Sequence, residues 1–376
     1  MNSEDSLINL ALVSPMAEVY SETFIKAQKE LLPFNVYYYS GGNKPKVLEG
    51  QGDIINNNDP LKLAFYLKKK LTKSEENWHD YRLGQSFRSN KIDCVLAQYG
   101  PTGVAMLPVC QALKLPLIVH FHGYDASVHE VLEKYEKGYR AMFHYATRII
   151  AVSGAMYQNL LNLGCPEDKL VLNTYGPNDA FLEVIPSLDG EHFIGIGRFT
   201  DKKAPYYTIL AFSKVLKHHP NARLTIAGDC LLLNACNNLV KTLHIEDAVS
   251  LPGKITPAEF QELLKNATAF VQHSVIAENG DSEGTPLAVL ESSAAGLPVI
   301  STKHAGIPDV IIDEETGYLV DEHDVDGMAR AMLKVLEDID AAKKMGEAGK
   351  QRIKTDFSME KYMRRLTEEI SIAIDK

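Results

Sequence analysis

Short apolar runs alternate with longer amphipathic stretches along nearly the whole chain. In the first half the runs INLALVS (8–14), NVYYYS (35–40), IDCVLAQY (92–99), LIVHFHG (117–123), RIIAVS (148–153) and LVLNTYG (170–176) predict strands, each bounded by Gly, Ser, Asn or Pro. The second half repeats the rhythm with HFIGIGRF (192–199), ARLTIAG (222–228), AVSLPG (248–253), ATAFVQHS (267–274), LPVIST (297–302) and GYLV (317–320). Between them lie helical patterns such as PYYTILAFSKVLKHH (205–219) and PAEFQELLKN (257–266). Strands alternating with helices predict βαβ units and parallel sheets, hence an α/β fold. The stretch DAFLEVIPSLDGEHF (179–193) carries Pro186 and Asp189-Gly190 and interrupts any regular element. It divides the chain into two Rossmann-like doubly wound domains, 1–180 and 190–355, and 356–376 reads as a final helix. In open α/β sheets ligands sit outside the carboxyl ends of the strands, so two such domains make a cleft where those ends face each other.

With 376 residues, 45% of them hydrophobic, the chain has apolar material for two ordinary domains. A net charge of −10 argues against a basic surface built for nucleic acid. Cys94, Cys110, Cys165, Cys230 and Cys236 are scattered and odd in number, which indicates free thiols and a reducing, cytoplasmic setting. The N-terminus MNSEDSLINLALVSP carries acids where a secretory signal has Lys or Arg. No apolar run approaches the roughly 18 to 20 residues that span a bilayer.

GDSEGTPLAVLE (280–291) holds two glutamates around a Gly-Thr-Pro step. Thr285 suits the N-cap of a helix, Pro286 its first position, and Gly296 its C-terminal stop before Pro298. The N-terminus of such a helix seats a phosphate. Glu291 then projects roughly 7 to 8 Å down the helix, while Glu283 stays in the loop. Carboxylates accept from sugar hydroxyls, so a pyrophosphate flanked by two sugar rings matches the spacing, as in a nucleotide-sugar. An ordinary capped helix with two solvent-facing glutamates matches it equally on spacing alone.

In GIGRFTDKKAP (195–205), Arg198 and Lys203 are two cations placed to neutralise a departing diphosphate; the plainer reading is two surface side chains. His120 and His122 of HFHGYD share one strand face, but no third metal ligand stands nearby. Asp324-Val325-Asp326 and Asp338-Ile339-Asp340 fall at the ends of a helix and read as caps, so no metal site is assigned. LKLAFYLKKKLTK (61–73) joins Lys68 to Lys70 with Leu61, Phe65, Leu67 and Leu71; a solvated helix face and a peripheral contact with an anionic membrane are both open.

EGTPLAVLE resembles the Glu, seven residues, Glu motif of retaining glycosyltransferases of the GT-B fold, and TKHAGIPDVI with ETGYLV resembles its continuation in family four. The resemblance implies that Glu283 meets the donor sugar, Glu291 the ribose, and Gly284, Thr285, Pro286 and Leu287 the phosphates. GIGRFTDKKAP is similar to the family's G-R-L-x-x-x-K-G segment, which implies Gly197 at the donor and Arg198 and Lys203 in catalysis, with Ala204 where a glycine is usual. The resemblance also assigns His122, before Gly123, to the catalytic face, where it would touch the donor sugar near the reacting carbon, and leaves His120 to the core. In the first loop, SPMAEVYSETFI (14–25), Ser21 suits a helix cap. Its SETFI string resembles the exopolysaccharide and capsule branch, without the Gly-Gly pair of many relatives. The final helix is implied to cross back onto the first domain.

These expectations describe a retaining, metal-independent transferase without cofactors. It would move a sugar from a UDP- or GDP-sugar to a glycan or lipid-linked acceptor in bacterial surface polysaccharide synthesis, in the cytoplasm, with peripheral attachment at the inner face of the cell membrane left open. A sugar-nucleotide epimerase or hydrolase on the same fold, and a non-catalytic binding scaffold, are the alternatives.

Overall fold

The computed structural model describes residues 7–17, 23–56, 59–72 and 77–375. Tyr20, Ser21 and Glu22, with the helix cap read at Ser21, lie outside the described residues, as does the side chain of Lys68. The described strands form two sheets. The first contains β1 (Asn9–Val13), β2 (Asn35–Ser40), β3 (Val47–Leu48), β4 (Gly52–Asp53), β5 (Cys94–Gln98), β6 (Leu117–His120), β7 (Arg148–Ala151) and β8 (Leu170–Leu172), in the order β4-β3-β2-β1-β5-β6-β7-β8. The second contains β9 (His192–Ile196), β10 (Arg223–Ala227), β11 (Val249–Ser250), β12 (Ala269–Gln272), β13 (Val299–Thr302) and β14 (Gly317–Val320), in the order β11-β10-β9-β12-β13-β14. The second order is that of the dinucleotide-binding Rossmann sheet.

All pairings are parallel except at the outer edge of the first sheet, where β2, β3 and β4 run antiparallel. The periodicity did not predict β3 and β4. Each has two residues, too few to show alternation, and the turn between them is polar and glycine-rich. The parallel strands are covered on both faces by helices. CVLAQ of β5 is buried at every position, so it reads as an apolar run without alternation. The helix Pro205–Val215 stops short of the predicted 219: the His218 and His219 amides both donate to the Val215 carbonyl in a closing turn, and Pro220 disfavours helical geometry at His219.

The helix Leu287–Ala295 starts later than predicted. Pro286 (φ −65°, ψ 118°) is extended and occupies the cap position, and the Thr285 hydroxyl donates instead to the Val152 carbonyl at 2.7 Å. Gly296 (φ +88°) ends the helix in the left-handed region, as its sequence position implied.

The last helix, Met359–Ile374, lies against the first sheet beside β5 and β6. Tyr362, Met363, Leu366, Ile370 and Ala373 form its buried face and join the first sheet's apolar core. Arg148 Nε and Glu369 Oε2 pair at 2.6 Å beneath it. The chain therefore passes from the first sheet to the second and back.

Candidate active site

The carboxyl ends of the two sheets face each other, and the loops that leave them are in contact. β9 runs into Gly197 and Arg198, then a single 3-10 turn, Asp201–Lys203, and Ala204 (φ +36°) before the helix Pro205–Val215. An alanine in left-handed backbone costs roughly 1 to 2 kcal/mol, which a glycine would not incur. Arg198 is exposed. The Lys203 side chain folds back over Gly197, where a Cβ would come within 3.3 Å of its Cδ and Cε. Lys203 Nζ lies 3.0 Å from Glu283 Oε1 and 3.4 Å from Gln272 Oε1. The two residues are eighty apart in sequence and form one largely buried ion pair, its side chains 14% and 9% exposed.

That pair governs the charge of the site. Burial alone would raise the Glu283 carboxyl, but Lys203 and then Lys202 hold it down to about 2, so it stays ionised. Burial lowers the Lys203 ammonium from its ordinary value, and Glu283 opposes this. Sequence reasoning missed Lys202. It is buried, with Nζ 2.9 Å from Asp281 Oδ1 and donating to the Ser282 carbonyl at 3.2 Å, so it clamps the loop that carries Glu283. The signal was a Lys-Lys doublet followed much later by an acidic glycine loop.

Several bonds hold this loop to its surroundings. The Ser282 amide donates to Ser127 Oγ (3.2 Å), the Gly306 amide to the Gly284 carbonyl (3.0 Å) and the His129 amide to the Asn279 carbonyl (3.0 Å). Gly284 packs on the His122 carbonyl so closely that a Cβ would come within 2.5 Å of its oxygen. Asp309, from the second domain, accepts from the Gly154 amide at 2.7 Å, at the head of a first-domain helix. The cleft is therefore closed by backbone contacts on both sides of Glu283.

At the head of the helix Leu287–Ala295 the first amides have no partner within the helix. They form the positive end of the helix dipole and can seat an anion. Glu291 lies farther along, only partly exposed, and burial pushes its carboxyl up to about 7.

His122 follows β6. Its Nε2 meets Gln98 Oε1 at 2.9 Å, its Nδ1 is bonded to the Tyr175 hydroxyl, and Phe24 stacks on its face at 4.5 Å between ring centroids. Gln98 Nε2 donates to Gln28 Oε1 (2.7 Å), so Gln98 Oε1 must accept, and His122 carries its proton on Nε2. Gln28 Nε2 in turn donates to the Tyr362 hydroxyl (2.6 Å) and lies 3.2 Å from His120 Nδ1. Burial, with His120 beside it, keeps His122 well below its usual range, hence neutral. Both ring nitrogens are engaged inside the first domain, and the part of His122 that meets the donor loop is its carbonyl. His120 is fully buried and held at about 3 by burial. Among the described residues no group of three His, Cys, Asp or Glu side chains is arranged to hold a metal. Asp324 and Asp338 cap helices through the Gly327 and Ala341 amides.

Two Rossmann-like sheets facing each other are the architecture of glycosyltransferases of the GT-B fold. Residues 17–173 match the model of Glycosyltransferase Family 4, and residues 184–352 that of Glycosyl transferases group 1. The chain belongs to this family of glycosyltransferases. Among curated proteins it is 28% identical to the putative colanic acid biosynthesis glycosyltransferase WcaL of Escherichia coli over 289 residues, covering 75% of this chain and 71% of the relative. It is also 28% identical to the amylovoran biosynthesis glycosyltransferase AmsK of Erwinia amylovora over 282 residues, 73% of this chain and 69% of the relative. A solved glycosyltransferase from Rickettsia africae superposes with a TM-score of 0.76 at 18% identity, over 99% of this chain and 100% of that one. HepE of Anabaena, solved in complex with UDP, superposes with 0.76 at 14% identity, over 97% of this chain and 100% of that one. At such identities these likenesses concern the fold.

Proposed function

We propose that this protein is a retaining, metal-independent glycosyltransferase that moves a sugar from a UDP- or GDP-sugar to an acceptor in exopolysaccharide assembly. The observation that carries the reading is the largely buried Lys203–Glu283 pair, with a helix head and Glu291 beyond it. The diphosphate lies over the amides at the start of Leu287–Ala295, Glu291 accepts from the ribose, and Glu283 accepts from the donor sugar. Arg198 and Lys203 offset the negative charge that grows on the departing diphosphate. The bond from the anomeric carbon to the phosphate oxygen breaks, the acceptor oxygen bonds to the same face, and its proton passes to the departing phosphate. Glu283 is ion-paired and therefore a poor nucleophile, which supports this course over a covalent intermediate. The acceptor side falls to the first domain, residues 1–180, and the donor side to residues 190–355. The exopolysaccharide setting is supported by the names of WcaL and AmsK.

No helix among the described residues is long and apolar enough to cross a membrane. On the helix Leu61–Thr72, however, Leu63, Leu67 and Leu71 are 70%, 59% and 85% exposed. They are spaced four apart and lie on one stripe, with Lys69 and Lys70 in the same turn. A stripe of leucines flanked by lysines suits the surface of an anionic bilayer, where a lipid-linked acceptor resides.

The test is incubation with a panel of UDP- and GDP-sugars and lipid-linked glycan acceptors, with proton NMR of the product. An axial anomeric bond from an axial donor supports the reading; an inverted product refutes it. Free sugar or an epimerised donor formed without acceptor would favour the hydrolase or epimerase.

A further inference from the structure

Glu322 follows β14 and reaches under the loop that carries Glu283. Its Oε1 lies 2.6 Å from His304 Nδ1, and its Oε2 accepts from the Ile276 amide at 2.8 Å. An ionised carboxylate only accepts, so the His304 proton resides on Nδ1. Nε2 then presents a lone pair, and the Glu283 amide donates to it at 3.1 Å. The Ser282 hydroxyl lies 3.3 Å from the same nitrogen. His304 is 1% exposed.

The arrangement ties both ends of one segment to one carboxylate. Ile276 begins the segment and is bonded directly; Glu283 ends it and is bonded through the imidazole. Between them the segment makes its own turns, with the Gly280 amide donating to the Ala277 carbonyl (2.8 Å) and the Ala277 amide to the Asp281 carbonyl (3.0 Å). Lys202 separately fixes Asp281 and Ser282. Glu283 is thereby held at two points, its main chain by His304 and its carboxylate by Lys203. Burying the imidazole, and with it part of the Glu322 carboxylate, which is 23% exposed, is costly, and an apolar side chain would fill the place of the imidazole at lower cost. What an apolar residue would not supply is an acceptor aimed at the Glu283 amide.

We propose that Glu322 and His304 are positioning residues that fix where the Glu283 carboxylate meets the donor sugar, and so set discrimination between a nucleotide-sugar and the bare nucleotide. The proposal rests on the reading of Glu283 as the donor-sugar contact. Glu322 orients the imidazole, the imidazole orients the Glu283 main chain, and neither touches the donor. A carboxylate displaced by even 0.5 to 1 Å loses much of its hydrogen bonding to a bound hydroxyl.

The experiment compares wild type, His304→Ala, His304→Gln and Glu322→Ala by three readouts: amide exchange of segment 276–284, dissociation constants for UDP and for UDP-glucose, and kcat with KM for transfer. In His304→Ala, exchange in the segment speeds at least about tenfold, and affinity for UDP-glucose falls about tenfold toward that for UDP. UDP itself binds within about twofold of wild type, and kcat falls more than the acceptor KM changes. Glu322→Ala does the same to a lesser degree. His304→Gln, whose amide oxygen can accept from the Glu283 amide, stays within about threefold of wild type in all three. Unchanged exchange in a folded His304→Ala would overturn the proposal, as would a His304→Gln variant as impaired as the alanine. Faster exchange with an undiminished preference for UDP-glucose would overturn the discrimination role alone. A wild type that binds UDP-glucose no better than UDP would count against UDP-glucose as donor, and the exchange readout would still test the strut. Should His304→Ala fail to fold, His304→Gln and Glu322→Ala carry the same comparison.

Discussion

Binding of the donor is expected to depend on pH through Glu291. Its carboxyl is pushed up to about 7 in the unliganded protein, so below that pH it is largely protonated. Ribose hydroxyls donate to the ionised form, and affinity should rise as pH climbs through 7 and fall as pH drops. If only the carboxylate binds, the ionised fraction is about three-quarters at pH 7.5 and about one-thirtieth at pH 5.5, a roughly 25-fold loss or about 1.9 kcal/mol. The ligand should be a UDP-sugar, because its diphosphate does not titrate in this interval, whereas the terminal phosphate of UDP does. Isothermal calorimetry in buffers of different ionisation enthalpy reads both the affinity and the proton released on binding at pH 6. Glu291→Gln should bind about 1.5 to 3 kcal/mol more weakly at pH 8, with a flat pH profile and no proton release. His122 and His120 are held neutral by burial and do not supply this titration. A wild-type affinity that is level from pH 5.5 to 8, or a Glu291→Gln variant with the same slope, would refute the assignment of Glu291 to the ribose.

Lys203→Met leaves Glu283 buried without its partner and should cost about 3 to 5 kcal/mol in urea unfolding at pH 7; adding Glu283→Gln should restore much of it, and a purely additive double variant would contradict the coupling. A chelator in the transfer assay should leave activity largely intact, and loss reversed by a divalent ion would contradict the role given to Arg198, Lys203 and the helix head. Tyr362→Phe removes the acceptor for Gln28 Nε2 and should lower stability by about 1 kcal/mol, measured by denaturant midpoint, with His122 less firmly held. Replacing Leu63, Leu67 and Leu71 by serine should reduce sedimentation with phosphatidylglycerol vesicles without altering thermal stability, since these side chains are exposed; equal sedimentation would remove the membrane role.

The alternation of apolar runs made the α/β architecture legible, because each parallel strand is a local apolar stretch closed by a turn residue. GYLV at 317–320 is a strand to the residue. What escaped is what depends on residues far apart in sequence. That Lys203 and Glu283 touch each other, and that Lys202 clamps the same loop, follows from two connections meeting at adjacent strand ends. The Glu322–His304 strut spans eighteen residues with no periodic signature, and its members look like surface polar residues in the string. Thr285 looked like a cap because Ser and Thr usually are, but the neighbouring domain offered its hydroxyl the Val152 carbonyl. The β3–β4 hairpin was too short to leave a pattern.

The return of the last helix to the first sheet has a consequence for synthesis. β8 ends at Leu172 and the helix begins at Met359, about 190 residues later, or roughly 10 to 40 s at ordinary translation rates. Through that interval the nascent first domain lacks Tyr362, Met363, Leu366 and Ile370, and the apolar and polar groups they cover, Gln28 and Asn173 among them, face water or whatever else is near. The domain that emerges first is thus completed last. A ribosome-stalled chain ending near residue 200 should capture holdase chaperones that the full-length product releases, and its protease resistance should mature only when the C-terminus leaves the exit tunnel.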